Sequence, residues 1–335
     1  MMSTAADEGN LYQAVGFPPT RALVVGTGLT VLDRLCTEGV DRPFEALGGS
    51  CGNVLVSLAM LGHCVAPVVA LGNDAFGDFL LREFRRAGCQ TDLVYRKADL
   101  RSPIIIEHVD PVRARHWFSF SCPETSRWRS IDEEQVSSAR RRLKAASVFY
   151  TDRLSPIIVD AMETAKDAGA LVFFEPASRG DEALFARALR TVSILKFSDE
   201  TAGGKIAAAE ITSTEARAVI RTHGTRGLTV SFAGSKRFFP AMVAPRLVDT
   251  CGSGDMVTTG LLDHLLRRWS SEWSMEEIFA GIEAGQRLAA LNCGFAGARG
   301  LFHALGGESL RSGLDEGLSD TFFAHAITSG PYDGH

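Results

Sequence analysis

The sequence predicts an α/β fold: a large, mostly parallel sheet covered by helices on both faces, with a small antiparallel β-sheet projecting from it as a lid. Two observations carry this. Short apolar runs alternate with amphipathic helical patterns along most of the 335-residue chain, the rhythm of parallel strands joined by crossover helices. One stretch, Ser102 to Ser121, breaks that rhythm with two β-rich runs around the turn-like VDPVRA and no helix between them, which reads as a hairpin.

Taken in order, residues 1–20 are small and polar and end in GFPPT, so they read as a tail, and one domain is expected over 21–330. ALVVG (Ala22 to Gly26) is a short buried strand, and Asn53 to Leu61 is helical in pattern. CVAPVVALG reads as one strand, and FGDFLLREFRRAGC as an amphipathic helix closed by Gly88. ASVFYT, ALVFFEP and VSILKFSD continue the strands, with helices over Ser155 to Ala168 and Asp181 to Leu189. DRLCTEGVDRPFEALGG adds strands beside the hairpin, placing the lid within about 34–47 and 102–121.

Composition narrows the function. A formal net charge of −5 and 22% charged residues argue against a nucleic-acid partner, because phosphate-backbone binding needs clustered Lys and Arg. The basic run Arg140 to Lys144 reads as a solvated helix face. Seven scattered cysteines without CxxC spacing suit reduced thiols in a cytoplasm. With no apolar run of membrane-spanning length and an acidic start lacking signal-peptide regions, a cytoplasmic protein without a membrane partner is expected.

The stretch VDTCGSGDMVTTGLL (Val248 to Leu262) carries the chemistry. A strand end meets a helical pattern beginning near Met256, so Gly252, Ser253 and Gly254 form the turn between them. Glycines allow positive φ and close approach, and the first-turn N–H groups of a helix point outward without internal partners, which makes an anion site. Asp255 lies in that first turn, where the helix dipole favours its carboxylate. It either caps the helix or takes a proton from a hydroxyl as that hydroxyl attacks phosphorus.

DTCGSGD resembles the D-T-x-G-A-G-D motif of the ribokinase-like (PfkB) carbohydrate kinases, and the resemblance runs from about Arg21 to Gly307. It implies a doubly wound α/β domain with a β lid and ATP-dependent phosphorylation of a hydroxymethyl group on a sugar, sugar derivative or nucleoside. Asp255 is then the general base, and Gly252, Ser253 and Gly254 the anion hole. GGSCGN resembles the G-G-x-x-x-N element, giving Gly48, Gly49 and Asn53 as acceptor-binding residues; an amide that donates and accepts suits a vicinal diol. VVGTGLTVLD is similar to the first strand whose aspartate holds sugar hydroxyls, here Asp33; it lacks the third glycine of a dinucleotide fingerprint. GNDAFG resembles a further family element, whose residues read as turn and N-cap residues. His116 in the lid is a substrate candidate, with Arg113 and Arg115 nearby.

On the nucleotide side THGTRG resembles the T-x-G-x-x-G turn, giving Thr222, Gly224 and Gly227 beside the phosphates, with Thr250 as a further cofactor-binding candidate. Asn292 and the Gly294 to Gly297 turn are candidate purine neighbours, and a monovalent cation such as K+ is a candidate ligand there and near Asp249. The resemblance weakens at LKFSDET: where many members have K-x-N-x-x-E to organise Mg2+ waters, Ser198 and Thr201 stand at the Asn and Glu positions. Glu200 is the candidate metal residue, through water, with Asp199 the alternative. FFEPASRG resembles D-P-N-x-R but has Glu175 for Asp and Ala177 for Asn, with Arg179 in register as a substrate candidate. ATP with Mg2+ is the expected cofactor. Two other readings stand beside this one: a kinase of an already phosphorylated sugar, and a ligand-binding or regulatory protein without turnover. Open lid edges imply a homodimer by analogy with the family.

Overall fold

The structure is a computed structural model that describes residues 22–37, 41, 43–110, 115–119, 130–199, 214–270 and 272–317. The expected tail, Arg113, Glu200 and Thr201 lie outside the described residues. In chain order the strands are β1 (Leu23–Thr27), β2 (Val31–Thr37), β3 (Phe44–Gly48), β4 (Cys64–Pro67), β5 (Val69–Gly72), β6 (Val94–Lys97), β7 (Ile104–Asp110), β8 (Arg115–Ser119), β9 (Val148–Thr151), β10 (Leu171–Phe174), β11 (Ile194–Ser198), β12 (Ala218–Thr222), β13 (Gly227–Phe232) and β14 (Ser235–Pro240). The helices are α1 (Ser50–Met60), α2 (Ala75–Arg86), α3 (Glu133–Ala145), α4 (Pro156–Asp167), α5 (Glu182–Thr191), α6 (Ser253–Arg267), α7 (Met275–Asn292) and α8 (Gly300–Asp315).

Eight strands form the main sheet in the order β14-β13-β12-β11-β10-β9-β1-β4. From β4 to β12 every pairing is parallel, and β13 and β14 add an antiparallel edge. The central strands, such as LVFF in β10, are buried along their length, as strands covered on both faces must be. One core gathers α1, α6 and α7 residues such as Leu55, Leu261 and Ile282; the other gathers α3, α4 and α5 residues such as Leu143, Met162 and Phe185. The chain passes from β1 to β4 on one side and later returns to β9 on the other. That reversal makes a crevice at the carboxyl ends of the strands, where ligands of such sheets bind.

Local chemistry explains the helix boundaries. Asp74 caps α2 by accepting from the Gly77 N–H at 2.7 Å, and the backbone turns away at Gly88, whose φ is 89°. Ser155 caps α4 ahead of Pro156, while α3 and α7 each begin with a capping box, Asp132/Gln135 and Ser274/Glu277. Each such cap is worth about 1 kcal/mol. In the basic run on α3, Arg140, Arg141 and Lys144 are exposed, while Arg142 reaches Asp92.

The lid is a second sheet in the order β3-β2-β7-β8, with β7 and β8 the antiparallel pair expected from the sequence and β2 parallel to β7. CVAPVVALG does not form one strand. β4 ends at Pro67, which has no N–H to continue a ladder, and β5 pairs instead with β6 in a small sheet. Last, α8, interrupted at Gly306, is tied down at two places. Arg299 donates to the Leu47 carbonyl of β3 at 2.6 Å, and Arg311 donates to the Leu61 carbonyl at 2.8 Å and to the buried Asp263, which also binds His63 at 2.6 Å.

Candidate active site

The GSGD stretch forms the start of α6. Gly252 is the N-cap in the left-handed region, with φ 70° and ψ 2°, and a Cβ there would collide with the backbone of Ala298. Only glycine fits both demands. Asp255 is not a cap: no side chain caps α6, and the carboxylate of Asp255 accepts from Asn53 Nδ2 at 2.8 Å, across 202 residues of chain. This bond joins the two motifs that the sequence offered separately. Burial, together with the nearby charge of Glu175, raises the Asp255 pKa to about 7, against the Asn53 hydrogen bond and Lys196. A carboxylate tuned to neutrality beside a helix N-terminus can both accept a proton and sit next to developing negative charge.

Three residues to which the sequence assigned no role surround it. Lys196, on β11 and 2% exposed, pairs with Glu175 just after β10 and donates to the Gly254 carbonyl at 3.0 Å. The other carboxylate oxygen of Glu175 accepts from Thr258 at 2.8 Å and from the Tyr150 hydroxyl at 3.5 Å. Asp152, directly after β9, accepts from the Leu29 N–H and from Arg153, both at 2.9 Å, and burial pushes its pKa to about 6. The missed signal was position: Asp152 and Glu175 each follow the last residue of a parallel strand, which puts them in the crevice.

On the lid side, Asp33 lies on β2 against Gly48, where a Cβ would collide with its carboxylate. Gly49, with φ 80°, starts α1. Burial and the charge of Glu107 raise the Asp33 pKa to about 8, with Arg299 opposing. Arg299 is itself buried, and burial lowers its pKa to about 10. Glu107, Asp249 and Cys251 bring their donor atoms within 4.8 Å of one another. Burial holds the Cys251 thiol well above its usual range, and the thiol is hydrogen-bonded to Glu107. Asp249 accepts from the backbone N–H of Cys251 at 2.9 Å and of Gly297 at 2.7 Å, pinning the two loops together. Asn53 Oδ1 is buried without a hydrogen-bond partner.

The nucleotide-side residues divide. Thr222 ends β12, and Gly224 has φ 59° with open space where a Cβ would be. Gly227 has φ 114°, and a Cβ there would strike the Phe239 carbonyl, so the pairing of β13 with β14 demands this glycine. The Thr250 carbonyl accepts from Ser253 Oγ at 2.7 Å. Asn292, a candidate purine neighbour, is held within its own loop. It is fully buried, its Nδ2 faces the carbonyls of Cys251, Gly297 and Ala298, and its Oδ1 accepts from the Leu301 N–H, so the side chain staples the loop. Asp199 is bound by His223 Nδ1 at 2.8 Å, Arg221 Nε at 2.5 Å and Arg226 at 3.0 Å, and the His223 bond leads in lowering its pKa. Arg179 is bonded to Glu182 at 3.2 Å. His116 stands opposite Val109 on β8.

Comparison with known proteins places the chain in a family and matches its fold. Fructokinase-1 of Zea mays is 28% identical over 308 residues, covering 83% of this chain and 94% of that protein. The fructokinase of Solanum tuberosum is 27% identical over 267 residues, covering 73% and 81%. Among solved structures, the ATP-bound fructokinase of Xylella fastidiosa superposes with a TM-score of 0.69 at 21% identity, over 82% of this chain and 93% of its own. A fructokinase double mutant from Vibrio cholerae O395, bound to fructose, ADP and potassium, reaches 0.66 at 20% identity, over 83% and 94%. These structures share the fold: a large, mostly parallel sheet with helices and a small β lid. Residues 40–303 match the model of the pfkB family carbohydrate kinases. That is well over half of the chain, so the protein belongs to the pfkB family and is an ATP-dependent carbohydrate kinase.

Proposed function

We propose that the protein transfers the γ-phosphoryl group of ATP to a hydroxymethyl group of a neutral sugar, with Asp255 as general base and fructose the leading acceptor. The observation that carries this is the buried Asp255 carboxylate, bonded to Asn53 at the N-terminus of α6 and poised near neutrality. The acceptor hydroxyl gives its proton to Asp255 as its oxygen bonds to the γ-phosphorus and the bond to ADP breaks. First-turn N–H groups at Gly252 to Asp255 face the negative charge that accumulates. Asn53 Oδ1 then accepts from a sugar hydroxyl, and the Asp33 carboxyl group bonds a neighbouring one.

Charge favours a neutral acceptor. Glu107, Asp152, Asp255 and the carboxyl group of Asp33 are buried around the pocket, and among the described residues the buried cations are already committed, Arg299 to the Leu47 carbonyl and Lys196 to Glu175 and the Gly254 carbonyl. A phosphate or carboxylate on the acceptor therefore meets acidic groups there without an uncommitted buried cation to balance it. The fructokinase relatives agree with a neutral hexose.

ATP of this class arrives with Mg2+. Asp199 does not fit an Mg2+-water role, because Arg221, Arg226 and His223 already hold it by hydrogen bonds. For a monovalent cation the buried acidic set around Asp249 fits in charge and donor chemistry. One kinase domain over 21–330 and a homodimer through the lid belong to the same reading. Phe44 on β3 and Trp117 and Phe118 on β8 are exposed at the two edges of the lid sheet, which supports the dimer.

The test is ADP release from Mg-ATP with fructose, other neutral sugars, acidic sugars, sugar phosphates and nucleosides, on the native protein and Asp255→Asn. Fructose-dependent release falling by about 10²- to 10⁴-fold in the variant is expected. Preference for an acidic or phosphorylated sugar overturns the neutral-acceptor reading. An acceptor that raises the melting temperature of both proteins equally without release points to a binding protein.

A further inference from the structure

Beyond the base and the anion hole, the interior beneath them holds a charged cluster whose role is unassigned. Lys196 is buried on β11, with its ammonium shared between the Glu175 carboxylate and the Gly254 carbonyl. Thr258, one turn along α6, lies between the same two acceptors, at 2.8 Å from Glu175 and 3.3 Å from the Gly254 carbonyl. Tyr150 closes the set from β9. Strand β11 and the end of β10 are therefore bonded to the first two turns of one helix, directly beside Asp255, and β9 joins them through Tyr150 and Glu175. A buried ion pair is a poor device for stability, since desolvation cancels most of the attraction and apolar replacements often serve as well.

We propose that Lys196 and Glu175 are positioning residues for phosphoryl transfer: Lys196 clamps the Gly254–Asp255 peptide, and Glu175 clamps Lys196. In a trans peptide the carbonyl and the N–H point in opposite directions. A bond to the Gly254 carbonyl thus fixes the direction of the Asp255 N–H, one of the first-turn donors facing the transferred group. The same ammonium favours the ionised Asp255 carboxylate, while Glu175 opposes it. The larger Glu175, standing where the family pattern has Asp, spans from Lys196 to Thr258. Asp255 is also faced by Asp152 after β9, Tyr150 on β9, Asn53 and Cys51 on α1, and Asp33 on β2. None of these changes in the experiment below.

The proposal rests on Asp255 as base, so Asp255→Asn is measured alongside. Lys196→Met and the near-isosteric Glu175→Gln are compared with the native enzyme by kcat, sugar KM, melting temperature and the pH dependence of kcat. Lys196→Met is expected to lower kcat by about 10- to 100-fold, leave the sugar KM within about 3-fold, and move the acid limb to higher pH. Glu175→Gln is expected to move that limb to lower pH, because the charge opposing ionisation of Asp255 is gone. A folded Glu175→Gln protein with native kcat and a native acid limb overturns the proposal, as does Lys196→Met with native kcat. A lower melting temperature with kcat and both limbs unchanged assigns the pair a structural role and also overturns it. Turnover retained in Asp255→Asn removes the base itself, a failure distinct from that of the pair.

Discussion

Charge is handled in opposite ways at the two ends of the crevice. Around the acceptor, Asp33, Glu107, Asp152 and Asp255 are buried close together, and three of them have pKa values pushed up, to about 8, 6 and 7 for Asp33, Asp152 and Asp255. At the rim proposed for the nucleotide, Asp199 is partly exposed and bonded to Arg221, His223 and Arg226, and the His223 and Arg221 bonds lower its pKa. Buried, mismatched carboxylates are costly to keep and persist where chemistry uses them; paired rim charges are the ordinary furniture of a surface. The acceptor end should therefore be sensitive to single substitutions and the rim tolerant.

The largest effect is expected at Gly252→Ala. The new methyl group both occupies a left-handed backbone position and meets Ala298, so kcat should fall by about 10²- to 10³-fold with a lower melting temperature. A near-native rate would mean that the α6 turn is not strained by the change. Next is Asn53→Ala, which removes the hydrogen bond that favours the ionised Asp255. Its pH–rate acid limb should shift upward, with kcat/KM for the sugar down about 10²-fold; an unmoved limb would break the link between the two motifs.

Asp33→Asn probes stability. The folded-state pKa of about 8 lies far above the ordinary 3.8, so between those values the folded protein holds a proton that the unfolded chain has lost. Stability then falls as pH rises through that window. The melting temperature of the native protein should drop from pH 5 to pH 9, and Asp33→Asn should flatten that drop and melt several degrees higher at pH 9. Equal slopes would place the buried charge elsewhere. The smallest effect is expected at Asp199→Asn, with the melting temperature and kcat near native and the KM for ATP changed by less than about 3-fold. A large loss of kcat would erase the contrast between the two ends.

Much of this contrast was legible in the sequence, because GSGD and GGSCGN are local patterns whose backbone demands survive into the structure. The lid hairpin was legible too, since VDPVRA interrupts two β-rich runs. Lys196, Glu175, Asp152 and Arg299 were not. Each gains its meaning from a partner distant in sequence, such as Leu47 for Arg299 at 252 residues. Asn292 was ambiguous for the opposite reason: an amide near a glycine-rich turn suits a ligand or a backbone staple equally well, and its burial and loop bonds appear only in the structure. Gly227 reads in the sequence as a phosphate-loop glycine, and the structure adds a demand the sequence does not display, the close pairing of β13 with β14.

The double anchorage of α8 bears on the order in which the molecule is built. β3 emerges from the ribosome early, yet the arginine that bonds its Leu47 carbonyl comes 252 residues later, and the Leu61 carbonyl waits 250 residues for Arg311. The nascent chain can assemble the central strands well before these bonds exist. A chain made only as far as β14 thus carries every strand of the main sheet without the bonds that finish the mouth of its pocket.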